Sequence, residues 1–171
     1  MAPRIVLVRG DITNEAVDAV VNAANTAMRP GGGVDGAITR AAGAAAMVDR
    51  ERLIRERGDP PLPTGTAVVG IGGDLPARWI IYTAGPVYRG SPRDAELLRA
   101  CHEACLRAAD GAGARSVAFP AISTGVYGYP LAEAAPVAVG SVAGATTDVE
   151  EVRFVLFDDV AVAAFRAALD G

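Results

Sequence analysis

The sequence predicts an α/β fold, a three-layer α/β/α sandwich with a mixed, roughly six-stranded sheet. Three observations predict it. Short β-branched runs alternate with segments of helical spacing along the whole chain. The runs are almost continuously apolar, the pattern of strands covered on both faces. Gly72-Gly73-Asp74 joins two successive runs directly, so part of the sheet is antiparallel.

The strand-like runs are Arg4–Val8, Asp18–Asn22, Thr66–Gly70, Arg78–Thr83, Ser116–Phe119 and Val152–Phe157. After the second run, Val34, Ala37, Ile38, Ala41 and Ala42 follow the i, i+3, i+4, i+7, i+8 spacing of a helix with one apolar face. Asp49–Arg57 is a charged helical stretch with Glu51–Arg55 and Arg52–Glu56 at i, i+4, and it stops at Gly58 ahead of Pro60 and Pro61. Ser91-Pro92 pairs an N-cap with a proline at the first helical position, opening a helix that buries Leu97, Leu98, Cys101, Cys105 and Ala108. Leu131 to about Val142 and Asp159–Leu169 read as two more helices. No linker, repeat or low-complexity segment divides the chain, so residues 1–171 are expected to form one domain.

Hydrophobic residues make up 51% of the chain, enough for a sizeable core. The net charge of -4 disfavours nonspecific binding to a phosphate backbone, which needs a basic face. All 16 basic residues are arginine. The lack of lysine excludes a P-loop, a Schiff-base lysine and a pyridoxal-phosphate enzyme. Any Ser-His-Asp or Cys-His mechanism would depend on the one histidine, His102. Two cysteines are too few for a disulfide framework or a four-thiolate zinc site. Cys101 and Cys105 share a helix face while His102 points about 100° away, so the cysteines read as small core hydrophobes and no metal site is expected. Ile5–Val8 is too short for an export signal, and no run approaches the ~18 apolar residues of a membrane span. A cytoplasmic protein is expected.

The residues that carry chemistry concentrate in two loops, each running from a strand into a helix. The first holds Asn22, Asn25 and Gly31-Gly32-Gly33-Val34-Asp35-Gly36, and the second Ser123-Thr124-Gly125-Val126-Tyr127. Glycines let the backbone approach a ligand closely, and free N–H groups at a helix start favour an anion. Two such loops at the carboxyl ends of neighbouring strands would hold a diphosphate from both sides, in the crevice where open α/β sheets bind ligands. Gly31-x-Gly33-x-x-Gly36 also matches the dinucleotide-binding fingerprint. A Rossmann loop, however, follows its strand directly and needs an acid ~20 residues on at a strand tip. Here the loop is offset from Asn22, and Glu51 and Glu56 lie in an arginine-rich helix. A nicotinamide oxidoreductase is therefore set aside.

Asn25 offers both donor and acceptor to sugar hydroxyls. Asp35, in the first turn of its helix, either complements the helix dipole or stands beside the distal end of a ligand. Asp11, just past the first strand, either caps a short helix or accepts a hydrogen bond from a base amino group.

Gly10-Asp11-Ile12, Asn22-Ala-Ala-Asn25, Gly31-Gly-Gly-Val-Asp35-Gly-Ala-Ile and Ile122-Ser-Thr-Gly-Val-Tyr127-Gly-Tyr-Pro together resemble the macro domain, specifically its MacroD-type branch. Pro63-Thr-Gly and Trp79-Ile-Ile-Tyr-Thr-Ala-Gly-Pro86 fit the same pattern. The resemblance runs in order from about residue 4 to residue 169. It implies an ADP-ribose pocket in which Asp11, followed by Ile12, takes the adenine amino group. Backbone from Gly31 through Gly32 and Gly33 to Val34, and from Ser123 through Thr124, Gly125 and Val126 to Tyr127, would wrap the diphosphate. Asn25 would bind the distal ribose, with Tyr127 packed against it and Phe157 on the adenine face, and Asn22 and Asp35 belong to the same ADP-ribose-binding set. Asn25 and Asp35 are the catalytic candidates, and either Asp35 or the ligand's own diphosphate activates the water. The implied activity is hydrolysis of ADP-ribose from acidic side chains and deacetylation of O-acetyl-ADP-ribose, with no cofactor. The implied partners are ADP-ribose, ADP-ribosylated proteins and O-acetyl-ADP-ribose, and a monomer is expected. A non-catalytic ADP-ribose reader and a hydrolase of ADP-ribosylated nucleic acid are the alternatives. The chain departs from the MacroD-type pattern at Thr39 and Tyr82, where histidine is usual or common, and at Pro30, which precedes three glycines rather than four.

Overall fold

The computed structural model describes residues 1–171. Six strands, β1 (Arg4–Arg9), β2 (Ala19–Ala24), β3 (Ala67–Ile71), β4 (Trp79–Ala84), β5 (Ser116–Phe119) and β6 (Glu151–Leu156), form one sheet. Its order is β1-β6-β5-β2-β4-β3. Every pairing is parallel except β3 with β4, the pair that Gly72-Gly73-Asp74 leads into. Four helices complete the chain: α1 (Gly33–Glu56), α2 (Pro92–Ala112), α3 (Leu131–Ala143) and α4 (Asp159–Asp170).

Alternation along the strands sorts two cores. Ala19, Val21, Ile81, Val117, Phe119, Val152 and Phe154 pack with α2, α3 and α4. Val20, Ala24, Ile80, Tyr82, Ala118 and Val155 face α1. These are the three expected layers, with α1 opposite the other helices. The parity also fixes the site: Asn22 and Tyr82, cross-strand partners in the β2–β4 register, both lie on the α1 side.

Local chemistry explains the ends of the elements. Asp11 accepts from the N–H and Oγ1 of Thr13 at 2.9 and 2.7 Å, capping a single 3-10 turn at Ile12–Asn14. Ser91 and Asp94 form a capping box at the start of α2, and Gly113 ends that helix in the left-handed conformation. The two helical stretches expected within residues 34–57 lie in one element, α1, bent at Gly43, where φ is 81°. Only glycine fits there without strain: a Cβ would also lie 2.5 Å from Asp74 Oδ2, and the Asp74 N–H caps Ala42 O at 2.9 Å. The β3–β4 connection thus docks on the bend of α1. No helix is long and apolar enough to cross a membrane.

Candidate ligand-binding cleft

Adjacent parallel strands β2 and β5 send their chains to opposite faces of the sheet, β2 into α1 and β5 into α3. Their loops therefore part, and a crevice opens at the carboxyl ends of the strands. It is a cleft of about 460 Å3, within the roughly 300–1,000 Å3 usual for small-molecule sites.

One wall is the turn into α1. Its N-cap, Gly32, carries no side chain to satisfy the first N–H groups of the helix, so the donors and the positive dipole end are free for an anion. The other wall is the Ser123–Tyr129 loop, closed on itself by Tyr129 N–H to Ser123 O at 2.9 Å and Gly128 N–H to Gly125 O at 3.0 Å. Gly85 admits this loop, since a Cβ there would stand 2.3 Å from Ser123 Oγ and 2.6 Å from Ile122 Cγ2. Ser123 Oγ is buried, has no hydrogen-bond partner and belongs to a residue lining the cleft. Two apolar side chains stand at the opening almost wholly exposed, Val126 at 99% and Phe157 at 90%.

Beneath the first wall lies a buried ion pair. Asp35 Oδ1 accepts from Arg50 Nη1 at 2.7 Å, Asn22 Nδ2 at 3.1 Å and Thr39 Oγ1 at 3.1 Å; Oδ2 accepts from Arg50 Nη2 at 2.9 Å and the Gly31 N–H at 3.2 Å. Arg50 Nε donates to Met28 O at 2.6 Å, and its guanidinium lies 5.0 Å over the Tyr82 ring. Burial alone would raise the Asp35 carboxyl. The hydrogen bonds and charge of Arg50, with those of Asn22 and Thr39, outweigh it and hold the carboxyl below its ordinary value. Burial pushes the Tyr82 hydroxyl up to about 12, against the pull of Arg50.

A family model described as the macro domain matches residues 21–138, more than half of the chain and both walls of the cleft. The chain belongs to the macro domain family. It is 52% identical over 165 residues to a macro domain-containing protein of Streptomyces coelicolor, covering 96% of this chain and 98% of that one. It is 49% identical over 163 residues to an O-acetyl-ADP-ribose deacetylase of Salmonella typhimurium, covering 93% and 90%. Among solved structures it superposes on the Oceanobacillus iheyensis macrodomain with ADP at a TM-score of 0.89 and 37% identity, over 96% of this chain and 88% of that one.

In this macro domain, Asn25, Gly31, Gly32, Gly33, Val34, Asp35, Ser123, Thr124, Gly125, Val126, Tyr127 and Phe157 all line the cleft. Three expected residues do not. Asn22 is fully buried behind Asp35, because strand parity turns it toward α1. Asp11 and Ile12 sit beyond β1, next to the cleft's edge through the Gly10 N–H to Leu156 O bond, with Asp11 engaged by Thr13 and Ile12 in the core. Asp35 lines the cleft, and its carboxylate also accepts from five donors of the protein itself. Asn25 spends one donor on Arg29 O at 2.7 Å and one acceptor site on the Arg29 N–H at 3.1 Å, which leaves one of each for a ligand. Phe157 lies one residue past the end of β6 rather than within it.

Sequence reasoning missed Arg50, grouping it with a charged helical stretch. A signal existed: Arg50 continues the line of Ala42 and Ala46 at i+4 steps and precedes Leu53 by three, and all four are buried. Gly85 was missed as well. Cys101, Cys105 and His102 lie on the far side of the sheet, fully buried. Burial raises both thiols and lowers His102 to about 4, so none of them is a nucleophile or base for the cleft.

Proposed function

We propose that this macro domain, one domain over residues 1–171, binds ADP-ribose and hydrolyses its esters, acting as a monomer in the cytoplasm. Its substrates are O-acetyl-ADP-ribose and proteins carrying mono-ADP-ribose on acidic side chains. The observation that carries this reading is the cleft itself: an uncapped helix N-terminus faces a second loop across a space large enough for a nucleotide. The O-acetyl-ADP-ribose deacetylase at 49% identity supports the enzymatic side.

The diphosphate lies between the first turn of α1 and the Ser123–Tyr127 loop, where N–H donors complement its charge. The adenosine end runs toward Phe157 and Asp11, and the distal ribose toward Asn25. Hydrolysis of the acetyl ester forms a bond from water oxygen to the acyl carbon and breaks the bond from that carbon to the ribose oxygen. The water proton passes to the ribose oxygen. Asp35 is saturated, so the diphosphate oxygens, held beside the distal ribose, orient the water. Asn25 fixes the ribose hydroxyls with its remaining donor and acceptor.

The test is a time course of acetate release from O-acetyl-ADP-ribose and of ADP-ribose release from a glutamate-modified protein, run beside serine-, arginine- and thymine-linked substrates. Release from the acetyl and glutamyl esters alone is expected. Binding of ADP-ribose without release from any substrate would make the protein a reader. Release from thymine would move it to nucleic acid.

A further inference from the structure

Five donors converge on Asp35, three of them from α1 itself, one from β2 and one from the loop before α1. The Arg50 fork is the strongest of them, two parallel N–H···O bonds at 2.7 and 2.9 Å in a buried setting. The same guanidinium donates to Thr39 Oγ1 at 3.2 Å and covers the Tyr82 ring. Thr39 and Tyr82 are the two positions at which the sequence departs from the histidines of the MacroD-type pattern. In the fold they line one small cavity with Asn22 and Arg50, of only about 10 Å3. Two separate departures in the sequence are therefore one site, and its centre is a permanent cation.

The surroundings hold nothing that changes charge near neutral pH. From α1 come Thr39 and Asp49, the latter tied to Arg52 Nη2 at 2.7 Å and to the Ile71 N–H at 2.9 Å. Arg40 is nearby on the same helix, against Gly36. From β2 comes the Asn22 amide, from β4 the Tyr82 hydroxyl, and from the connecting loop the Gly31 N–H and the Met28 carbonyl. Arginine keeps its charge at all working pH values. The one histidine is on the other side of the sheet.

We propose that Arg50 is a positioning residue of the cleft: it holds Asp35 as a saturated anionic strut that, through the Gly31 N–H, fixes the glycine turn at the start of α1. The turn's free donors are then aimed at the diphosphate by a support that does not titrate. The inference rests on the ADP-ribose reading for what the turn binds, and on the Arg50–Asp35–Gly31 geometry for how the turn is held. Its consequence is an ADP-ribose affinity independent of pH across the neutral range, because the ligand's diphosphate also keeps its charge there.

The test follows two signals in the wild type, Arg50→Lys and Arg50→Met from about pH 5 to about pH 8, a window spanning the ordinary histidine pKa. One is the carbon-13 resonance of the Asp35 carboxyl. The other is ADP-ribose affinity by calorimetry. In the wild type Asp35 stays ionised throughout and affinity varies less than about twofold, the change expected with no coupled proton. In Arg50→Met the buried carboxyl loses its counter-charge and titrates within the window. Affinity is at least about tenfold weaker and falls further as pH drops through the same midpoint. Arg50→Lys keeps the charge without the fork and restores a flat profile at intermediate affinity. A wild-type Asp35 that titrates inside the window overturns the proposal, as does an Arg50→Met protein with unchanged titration and affinity. Should Arg50→Met not fold, the wild type and Arg50→Lys decide by the same two signals. Should the wild type not bind ADP-ribose, the functional reading fails, while the carboxyl resonance still decides whether Arg50 holds Asp35 ionised.

Discussion

The two faces of the sheet bury their polar groups in opposite ways. On the α1 face, Arg50 and Asp35 keep both charges, because each supplies the other's counter-charge and Asn22, Thr39 and two backbone groups complete the bonding. On the α2–α3–α4 face, His102 stands alone. Its Nδ1 donates to Leu98 O at 2.8 Å, its ring stacks on Phe119 at 5.2 Å, and Nε2 has no partner. Burial without a counter-charge drives it neutral, to a pKa of about 4. The difference teaches that burial alone does not decide whether a group stays charged; the partner does. It also separates roles: the Arg50–Asp35 pair braces the first wall of the cleft, and His102 packs in the core.

The largest effect should come from breaking the charged face. Asp35→Ala leaves a buried guanidinium unpaired, which costs about 3–5 kcal/mol. Denaturant unfolding should show a midpoint shift of that size, and the ADP-ribose site should weaken with it. A loss under about 1 kcal/mol would mean that the pair is not buried as described.

The neutral face should show itself through acid. His102 binds a proton more readily unfolded, at about 6.5, than folded, at about 4. Stability is therefore fully present above about pH 6.5 and falls as pH drops toward 4, by about 3 kcal/mol in all. Asp35, held below its ordinary value, stays ionised in the folded protein, and its own contribution is lost only below about pH 5, where the unfolded carboxyl begins to bind a proton. Thermal melts at intervals of pH should trace the fall, and His102→Leu should flatten it.

Two further substitutions compare the cleft's walls. Gly85→Ala places a Cβ against Ser123 and Ile122, and overpacking of that kind costs ~1–3 kcal/mol. ADP-ribose affinity by calorimetry should fall about 10- to 100-fold through displacement of the second wall. Asn25→Ala removes the donor and acceptor proposed for the ligand and the brace on Arg29; ester hydrolysis should slow ~10–100-fold, since a lost buried partner costs ~1–3 kcal/mol. Unchanged rates would remove Asn25 from the site.

Thr39→Ala should do least. It deletes one of five donors to Asp35 while the Arg50 fork remains. Turnover should drop less than about tenfold, in line with ~0.5–1.5 kcal/mol for a neutral hydrogen bond. An effect as large as that of Asp35→Ala would move the burden of the strut from Arg50 to Thr39.

The sequence by itself determined the layers, the strands and both walls of the cleft. Apolar runs, helical spacing and the glycine loops are local patterns, and local patterns are set by neighbours in the chain. It also marked Thr39 and Tyr82 as unusual. It did not join them to each other or to Arg50. Those residues lie 11 to 43 positions apart and meet only when α1, bent at Gly43, packs on β2 and β4. The role of Asp35 was open for the same reason. A carboxylate in a first helical turn reads alike whether it faces a ligand or a buried arginine. Strand parity turned Asn22 inward beside it, and Arg50 reaches both of its carboxylate oxygens. Tertiary structure decided the surroundings of Asp35, because those depend on which donors reach its oxygens, and the donors come from three segments of the chain: β2, the loop before α1 and α1 itself.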